Sequence, residues 1–198
     1  MNIHLIAVPY DSAVRGWRMG AGPEALLRSG LEDHLRARGH HVATEIVEAP
    51  DDGPATEIRT AFVLAAALRD RVRTAREAGA LAVVLAGNCG SALGTVAALA
   101  EDEPLVVWMD AHGDLNTPET SRSGFLDGMA LAILTGHCWA PMAASLLPRP
   151  VAEDHVLLVG ARDLDAGEQA LLADSAIRLV HADAARAECR GCWTPHAR

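Results

Sequence analysis

The 198 residues are half hydrophobic yet include only seven aromatic side chains, and acidic residues outnumber basic ones to give a formal charge of −9. A chain of this length can bury a sizeable core and is expected to form one domain, with Ala, Val and Leu supplying most of that core. The acidic balance argues against nucleic acid as the main partner, because phosphate binding wants a basic face, and the apolar runs are too short and interrupted to span a bilayer. Met1-Asn2-Ile3-His4 has no basic start leading into a long apolar stretch, so no signal peptide is visible and a cytoplasmic location with no membrane partner is expected. Cys89, Cys138, Cys189 and Cys192 are too few for a disulfide framework, and reduced thiols are the default.

Apolar runs alternate with helical patterns from the first residues. Residues 3–8 read as a strand, a loop containing Asp11, Gly16 and Gly20 follows, and Pro23 sits early in a helix that runs through Arg28. A second strand is expected over 42–47, followed by a loop rich in Pro, Asp and Gly over 49–55. Thr56 is then placed to cap the clearest helix in the chain. Ile58, Ala61, Phe62, Ala65, Leu68, Val72 and Ala75 recur there at helical spacing, while Arg59, Arg69, Arg73 and Glu77 take the other face. Gly79 ends it as a glycine just past a helix does. Residues 81–86 form an apolar strand, a Gly-Asn-Cys-Gly turn comes next, and Ser91 is placed to cap a helix through Leu99. Residues 105–109 are the next strand, with Trp108 in the core. Residues 113–126 are polar and irregular, and 128–134 look helical. A strand over 156–160, a helix over 166–173 and a strand over 177–181 continue the rhythm. Strand runs apolar on both faces and separated by helices imply a parallel sheet covered on both sides, an α/β fold. The segment 182–198 breaks the pattern, with clustered Cys, Arg and His and no apolar strand.

The residues that say most about chemistry are Asp110-Ala111-His112-Gly113-Asp114, directly after the 105–109 strand. Open α/β sheets present ligand-binding groups beyond the carboxyl ends of their strands. If the backbone stays extended, alternation points Asp110, His112 and Asp114 to one side. Carboxylate and imidazole donors together suit Mn, Mg or Zn better than a soft copper site. In isolation the two aspartates could equally cap and close a loop.

The continuation decides between these. Asp110-Ala-His-Gly-Asp-Leu-Asn-Thr-Pro-Glu-Thr, then Ser123-Gly124 and Gly128-Met129, closely resembles the arginase/agmatinase (ureohydrolase) family, with its Asp-Ala-His-x-Asp signature followed by Asn-Thr-Pro and Ser-Gly. Gly20-Ala-Gly-Pro-Glu-Ala-Leu and Val159-Gly160-Ala-Arg-Asp-Leu-Asp add weaker matches, and the resemblance covers the chain to about Val180. It implies a three-layer α/β/α fold with a mainly parallel sheet over residues 1–181, incomplete at its carboxyl end, with 182–198 as an atypical tail. The implied activity is hydrolysis of C–N bonds in a guanidino or amidino compound to urea and an amine, on a binuclear Mn2+ centre. There, ions about 3.5–4 Å apart share a water and lower its pKa. By motif, Asp110 and Asp114 would ligate one ion, Asp110 would reach the second and His112 would ligate that second ion. Asn116 and Ser123 match positions that hold the amino-acid end of the substrate. Family members are commonly oligomeric, so a homo-oligomer is among the expectations.

Four departures narrow this. Gly87-Asn88-Cys89-Gly90-Ser91 stands where relatives have Gly-Gly-Asp-His-Ser, so Gly90 takes the place of a metal-ligating His. Cys89 is either a substitute ligand or a small buried cysteine in a turn. Asp127 replaces a His that moves protons in arginases; it is the candidate catalytic acid or base, with a contact to a cationic substrate or a helix cap as its alternatives. Phe125 replaces another polar contact to the substrate. The second metal motif, Ser-x-Asp-x-Asp-x-x-Asp-Pro, is absent and His181-Ala-Asp183 is the nearest substitute. Three ligands then stand where a binuclear site wants about six, so Mn2+ occupancy is in question. The alternative to an enzyme is a non-catalytic family member with at most a partial metal site. A truncated or frame-shifted gene product would account for the composition of 182–198. Cys189-x-x-Cys192 with His196 is a zinc half-site without an evident fourth ligand, and reads as an incidental tail. His40, His41, His137 and Cys138 read as loop or core residues.

Overall fold

β1 (Asn2–Val8) is an almost wholly buried apolar strand. It belongs to a computed structural model that describes residues 1–50 and 56–186. These divide into two compact units, one built from the described residues of 1–102 and 139–149, the other from 103–138 and the described residues from 150 onward.

In the first unit β1 leads into a hairpin, β2 (Tyr10–Asp11) and β3 (Val14–Arg15). Its connecting residues Ser12 and Ala13 both have positive φ, 46° and 67°. A two-residue hairpin turn asks for that conformation, normally from Asn-Gly or Gly-Gly, and its absence from the sequence pattern follows from those atypical residues. α1 (Gly22–Arg28) carries Pro23 in its first turn, as expected. α2 (Leu31–Ala37) has no buried residue and so no apolar stripe to read; a Glu32–Arg36 ion pair one turn apart lies along its surface. β4 (His41–Ile46) follows.

α3 (Glu57–Glu77) begins where Thr56 Oγ1 accepts the Arg59 N–H at 3.4 Å, the cap expected from the sequence. Gly79 beyond its end has φ 68°. Its buried face includes Thr60 and Leu64 as well as Phe62, Ala65, Leu68, Val72 and Ala75. β5 (Leu81–Ala86) pairs with β1 in parallel, and β4 does so on the other edge, giving the order β4-β1-β5. Leu64, Leu68 and Val72 of α3 form one buried cluster with Ile6, Val8, Tyr10 and Val47. Behind β5, a 3-10 turn over Cys89–Ser91 runs into α4 (Ala92–Ala97), with Ser91 at the N-cap position as expected but making no side-chain cap bond. Ser91 is itself helical in backbone and donates its hydroxyl to Asn88 Oδ1 at 3.2 Å. α4 lies close to α3 because position 94 is glycine: a Cβ there would meet the Ala65 carbonyl at 2.5 Å.

The second unit is built on β6 (Val106–Met109). Here the expectation of a strand buried on both faces fails. Val106 and Trp108 are buried, whereas Leu105, Val107 and Met109 are 78%, 54% and 78% exposed. The strand therefore has the one-sided alternation of a half-covered sheet. α5 (Ala130–Leu134) is buried at every residue. The next helix, α6 (Ala140–Ala143), belongs to the first unit. β7 (Val156–Val159), α7 (Ala166–Asp174) and β8 (Arg178–Val180) complete the second, with parallel strands in the order β6-β7-β8. The fold class is the three-layer α/β/α arrangement with a mainly parallel sheet that the resemblance implies. No helix among the described residues is long and apolar enough to cross a membrane.

Candidate metal centre

The motif at 110–114 begins where β6 runs out. Asp110 N–H still donates to Val159 O at 3.2 Å, extending the ladder one residue past the strand. Ala111 O then accepts the N–H groups of Arg162 and Asp163, at 2.8 and 3.0 Å. At Asp114 the chain turns, with φ 50°. That left-handed conformation is uncommon outside glycine, although Asp tolerates it better than most. What holds it is the start of α5, whose amino-terminal turn has no side-chain cap. Asp114 O accepts the N–H groups of Leu131 and Ala132 at 2.9 and 3.0 Å, supplying two donors that a helix start would otherwise leave unpaired. Asn116 N–H donates to Gly128 O at 3.0 Å, tying the same loop to the turn before α5.

This geometry overturns the simple alternation argument. The backbone does not stay extended, and the donor side chains lie in different environments. Asp114 is 5% exposed, while the His112 side chain is 60% exposed. Asp110 Oδ1 accepts the His112 N–H at 2.9 Å and lies 3.1 Å from His112 Nδ1. A carboxylate facing Nδ1 favours a proton there and leaves Nε2 with the lone pair a metal needs. Nε2 lies 4.0 Å from Asp163 Oδ2 on the exposed side. Asp110 thus orients His112, while carboxylate oxygens of Asp110 and Asp114 lie within 4.8 Å of each other and could share a hard divalent ion; His112 does not converge with them.

A two-ion centre fits less well. Asp183, the nearest substitute for the absent second motif, is 98% exposed and pairs with Arg186 at 3.9 Å, and His181 is exposed. Cys189, Cys192 and His196 lie outside the described residues.

Asn116 is 7% exposed. Its amide donates to Asp165 Oδ2 at 3.0 Å, and its Oδ1 accepts the Thr120 hydroxyl at 3.0 Å. Ser123 is exposed, and its Oγ accepts the Phe125 N–H at 3.2 Å in the turn that Gly124 completes. Asp127 is buried inside the 3-10 turn Leu126–Met129 and does not occupy a cap position of either that turn or α5.

Sequence reasoning passed over Asp165 and Glu168. They form a capping box at the start of α7, in which Asp165 N–H donates to Glu168 Oε2 at 2.8 Å. Glu168, only 3% exposed, also accepts the Leu115 N–H on Oε1 at 3.1 Å. The signal was present as Asp-x-x-Glu ahead of an apolar run, but nothing local connected it to a residue 53 positions earlier.

In the first unit, the turn after β5 offers the half-buried Cys89 and the buried Gly90 in the place of the family His. Elsewhere in the second unit, His137 Nε2 lies 2.7 Å from Glu153 Oε1. The Ala176 N–H, and secondarily His137, hold the Glu153 carboxyl below the usual range. Burial, with the Glu119 charge adding to it, pushes the Cys138 thiol up to about 11. Cys138 is buried and His137 exposed, the core and loop positions that the sequence suggested.

The Asp-x-His-x-Asp loop on the end of a parallel strand sits within a match to the Arginase family profile over residues 1–190. The chain belongs to the arginase family. It is 31% identical over 152 residues to the N(omega)-hydroxy-L-arginine amidinohydrolase of Streptomyces lavendulae, a match covering 76% of this chain and 54% of that protein. To the arginase of Bacillus caldovelox it is 32% identical over 192 residues, covering 89% and 63% respectively. The crystal structure of arginase from Bacillus subtilis superposes with a TM-score of 0.83 at 26% identity, covering 95% of this chain and 66% of that one. The chain thus spans between about half and two thirds of the length of these arginase-family relatives.

Proposed function

We propose that this arginase-family chain holds at most one divalent cation of the manganese type, through Asp110, His112 and Asp114, and binds a guanidino or amidino compound without hydrolysing it. The observation that carries the proposal is the exposure of Asp183, at 98% and paired with Arg186, where a buried carboxylate would be needed for a second ion. A single ion without a bridging partner loses the two-metal route to a hydroxide at neutral pH. When bound, the ion would supply Lewis acidity to the ligand. The chain's own groups orient the imidazole (Asp110), and Asn116 and Ser123 are proposed to contact the amino-acid end of the ligand. A cytoplasmic location and assembly into homo-oligomers belong to the same proposal.

Hydrolysis by this chain is the second reading. It is favoured by Asp127, which is 7% exposed and shares a unit with Asp110 and Asp114. On that reading Asp127 carries the proton. Elemental analysis after Mn2+ loading, with urea release measured on a panel of guanidino compounds, separates the two. The proposal expects no more than one ion per chain and no urea. Two tightly held ions, or Mn2+-dependent urea release that disappears in Asp110→Ala and Asp127→Asn, would overturn it in favour of hydrolysis.

A further inference from the structure

Both carboxylate oxygens of Glu168 are committed, and to different segments. Oε2 takes the Asp165 N–H at 2.8 Å and closes the first turn of α7, while Oε1 takes the Leu115 N–H at 3.1 Å from the loop that follows Asp114. The first of these bonds is what any capping box provides; the second is not. Space is arranged around it: a Cβ at Gly113 would come within 3.0 Å of Glu168 Oε1 and 2.9 Å of Leu164 Cδ2. Leu164 and Glu168 thus abut the loop at the residue next to Asp114. Asp165 reaches back to the same loop, accepting the Asn116 side-chain amide at 3.0 Å. Gly167 lies against Thr120, where a Cβ would meet the Thr120 side chain at 2.6 Å, and Thr120 donates to Asn116 Oδ1. The start of α7 is therefore shaped to grip residues 113–120 at several points, with a buried charge at the centre.

We infer that Glu168 is a positioning residue, which fixes the backbone between Asp114 and Asn116 and thereby sets the direction of both side chains. A buried carboxylate is costly unless hydrogen-bonded, and here its satisfaction depends on the loop holding its left-handed turn at Asp114. Loop geometry and helix start are thus coupled through one side chain. The consequence for an ion rests on the proposed role of Asp114 as a metal ligand; the consequence for the loop does not.

Two variants test this, Glu168→Ala and Glu168→Gln. The second keeps the shape and one acceptor oxygen, and covers the case in which the first fails to fold. Amide exchange is followed at Leu115, at the Asn116 side-chain amide, and at Leu158 in β7 as a reference for the unit as a whole. A lost charge-assisted hydrogen bond should speed exchange at Leu115 about tenfold or more relative to Leu158. Asn116 should follow, and Glu168→Gln should fall between wild type and alanine. Mn2+ affinity, measured well below the unfolding temperature, should weaken in the same order. Equal acceleration at Leu115 and Leu158 means that Glu168 merely stabilises the unit, and overturns the inference. So does faster Leu115 exchange with an unmoved Asn116 amide, or with unchanged Mn2+ affinity in a chain that binds the ion. If the wild-type chain takes up no Mn2+, the metal reading falls, and the positioning role is decided by the Leu115 and Asn116 exchange alone.

Discussion

Two turns follow parallel strands in this chain, and they are built on opposite principles. The turn after β5, at residues 87–91, is made for close approach of backbone to backbone. A Cβ at Gly87 would come within 2.3 Å of Tyr10 O and 2.7 Å of Gly20 Cα, and a Cβ at Gly20 would meet Tyr10 C at 2.8 Å. The loop after β6, at residues 110–116, is made of side chains, with its backbone groups bonded to Val159, Glu168, Gly128 and the start of α5. The same kind of position, the carboxyl end of a strand, is closely packed backbone in one unit and presents two carboxylates and an imidazole in the other. Family membership alone does not distinguish them; the residues present do.

The contrast predicts unequal costs for the same substitution. Gly87→Ala drives a methyl group into main-chain atoms that cannot rotate away, so a loss of about 3 kcal/mol is expected. In a chain of this size that is roughly a 6–12 °C drop in Tm by circular dichroism, and an unchanged Tm would break the comparison. Gly113→Ala meets side-chain atoms instead, and Leu164 Cδ2 can move although Glu168 Oε1 is tied. A cost nearer about 1 kcal/mol follows, and a larger loss than at Gly87 would reverse the ranking.

Asp110→Asn should leave Tm within about 2 °C, because a half-exposed polar loop residue contributes little to packing. Titration calorimetry should nevertheless show Mn2+ affinity falling about tenfold or more, from the loss of a charged donor. Retained affinity would remove Asp110 from the site. Glu153 sharpens the comparison from outside the loop. Its carboxyl is held below the ordinary 4.5, first by the Ala176 N–H and then by His137. A depressed folded pKa gives stability that is complete above the unfolded value and is lost as the pH falls through the folded one. Glu153→Gln should therefore cost up to about 1 kcal/mol at neutral pH and flatten the acid limb below 4.5. A parallel acid limb in the variant would show that other carboxylates govern it. The smallest effect concerns Cys138. With its thiol pushed up to about 11, peptide mapping after alkylation at pH 8 should find it unmodified until the chain is unfolded.

How far the chain could be read in advance varied with how local the cause was. α3 was legible to its ends, since its stripe, the Thr56 cap and Gly79 are all written within it. β5 was legible for the same reason. α2 and the β2–β3 hairpin were not: the first buries nothing, and the second turns on Ser12 and Ala13 in a conformation those residues rarely adopt. Asp110, His112 and Asp114 were legible as candidate donors, but their arrangement was not: alternation assumes an extended backbone, Asp114 leaves it, and His112 does not converge with the two carboxylates. Asp127 lies inside a 3-10 turn, a local geometry that its sequence position did not reveal.

What the amino-acid sequence determined alone is the α/β class, the family, and the residue types that stand at the end of β6. Periodicity and motif are short-range properties, carried by residues a few positions apart. Only the tertiary structure decided the one-sided exposure of β6, the left-handed turn at Asp114 and the hold of Glu168 on Leu115. Each of these depends on a hydrogen-bond donor or a packing partner distant in sequence. The Asp114 carbonyl turns because α5 needs acceptors, and the loop stays turned because a buried carboxylate on α7 needs a donor.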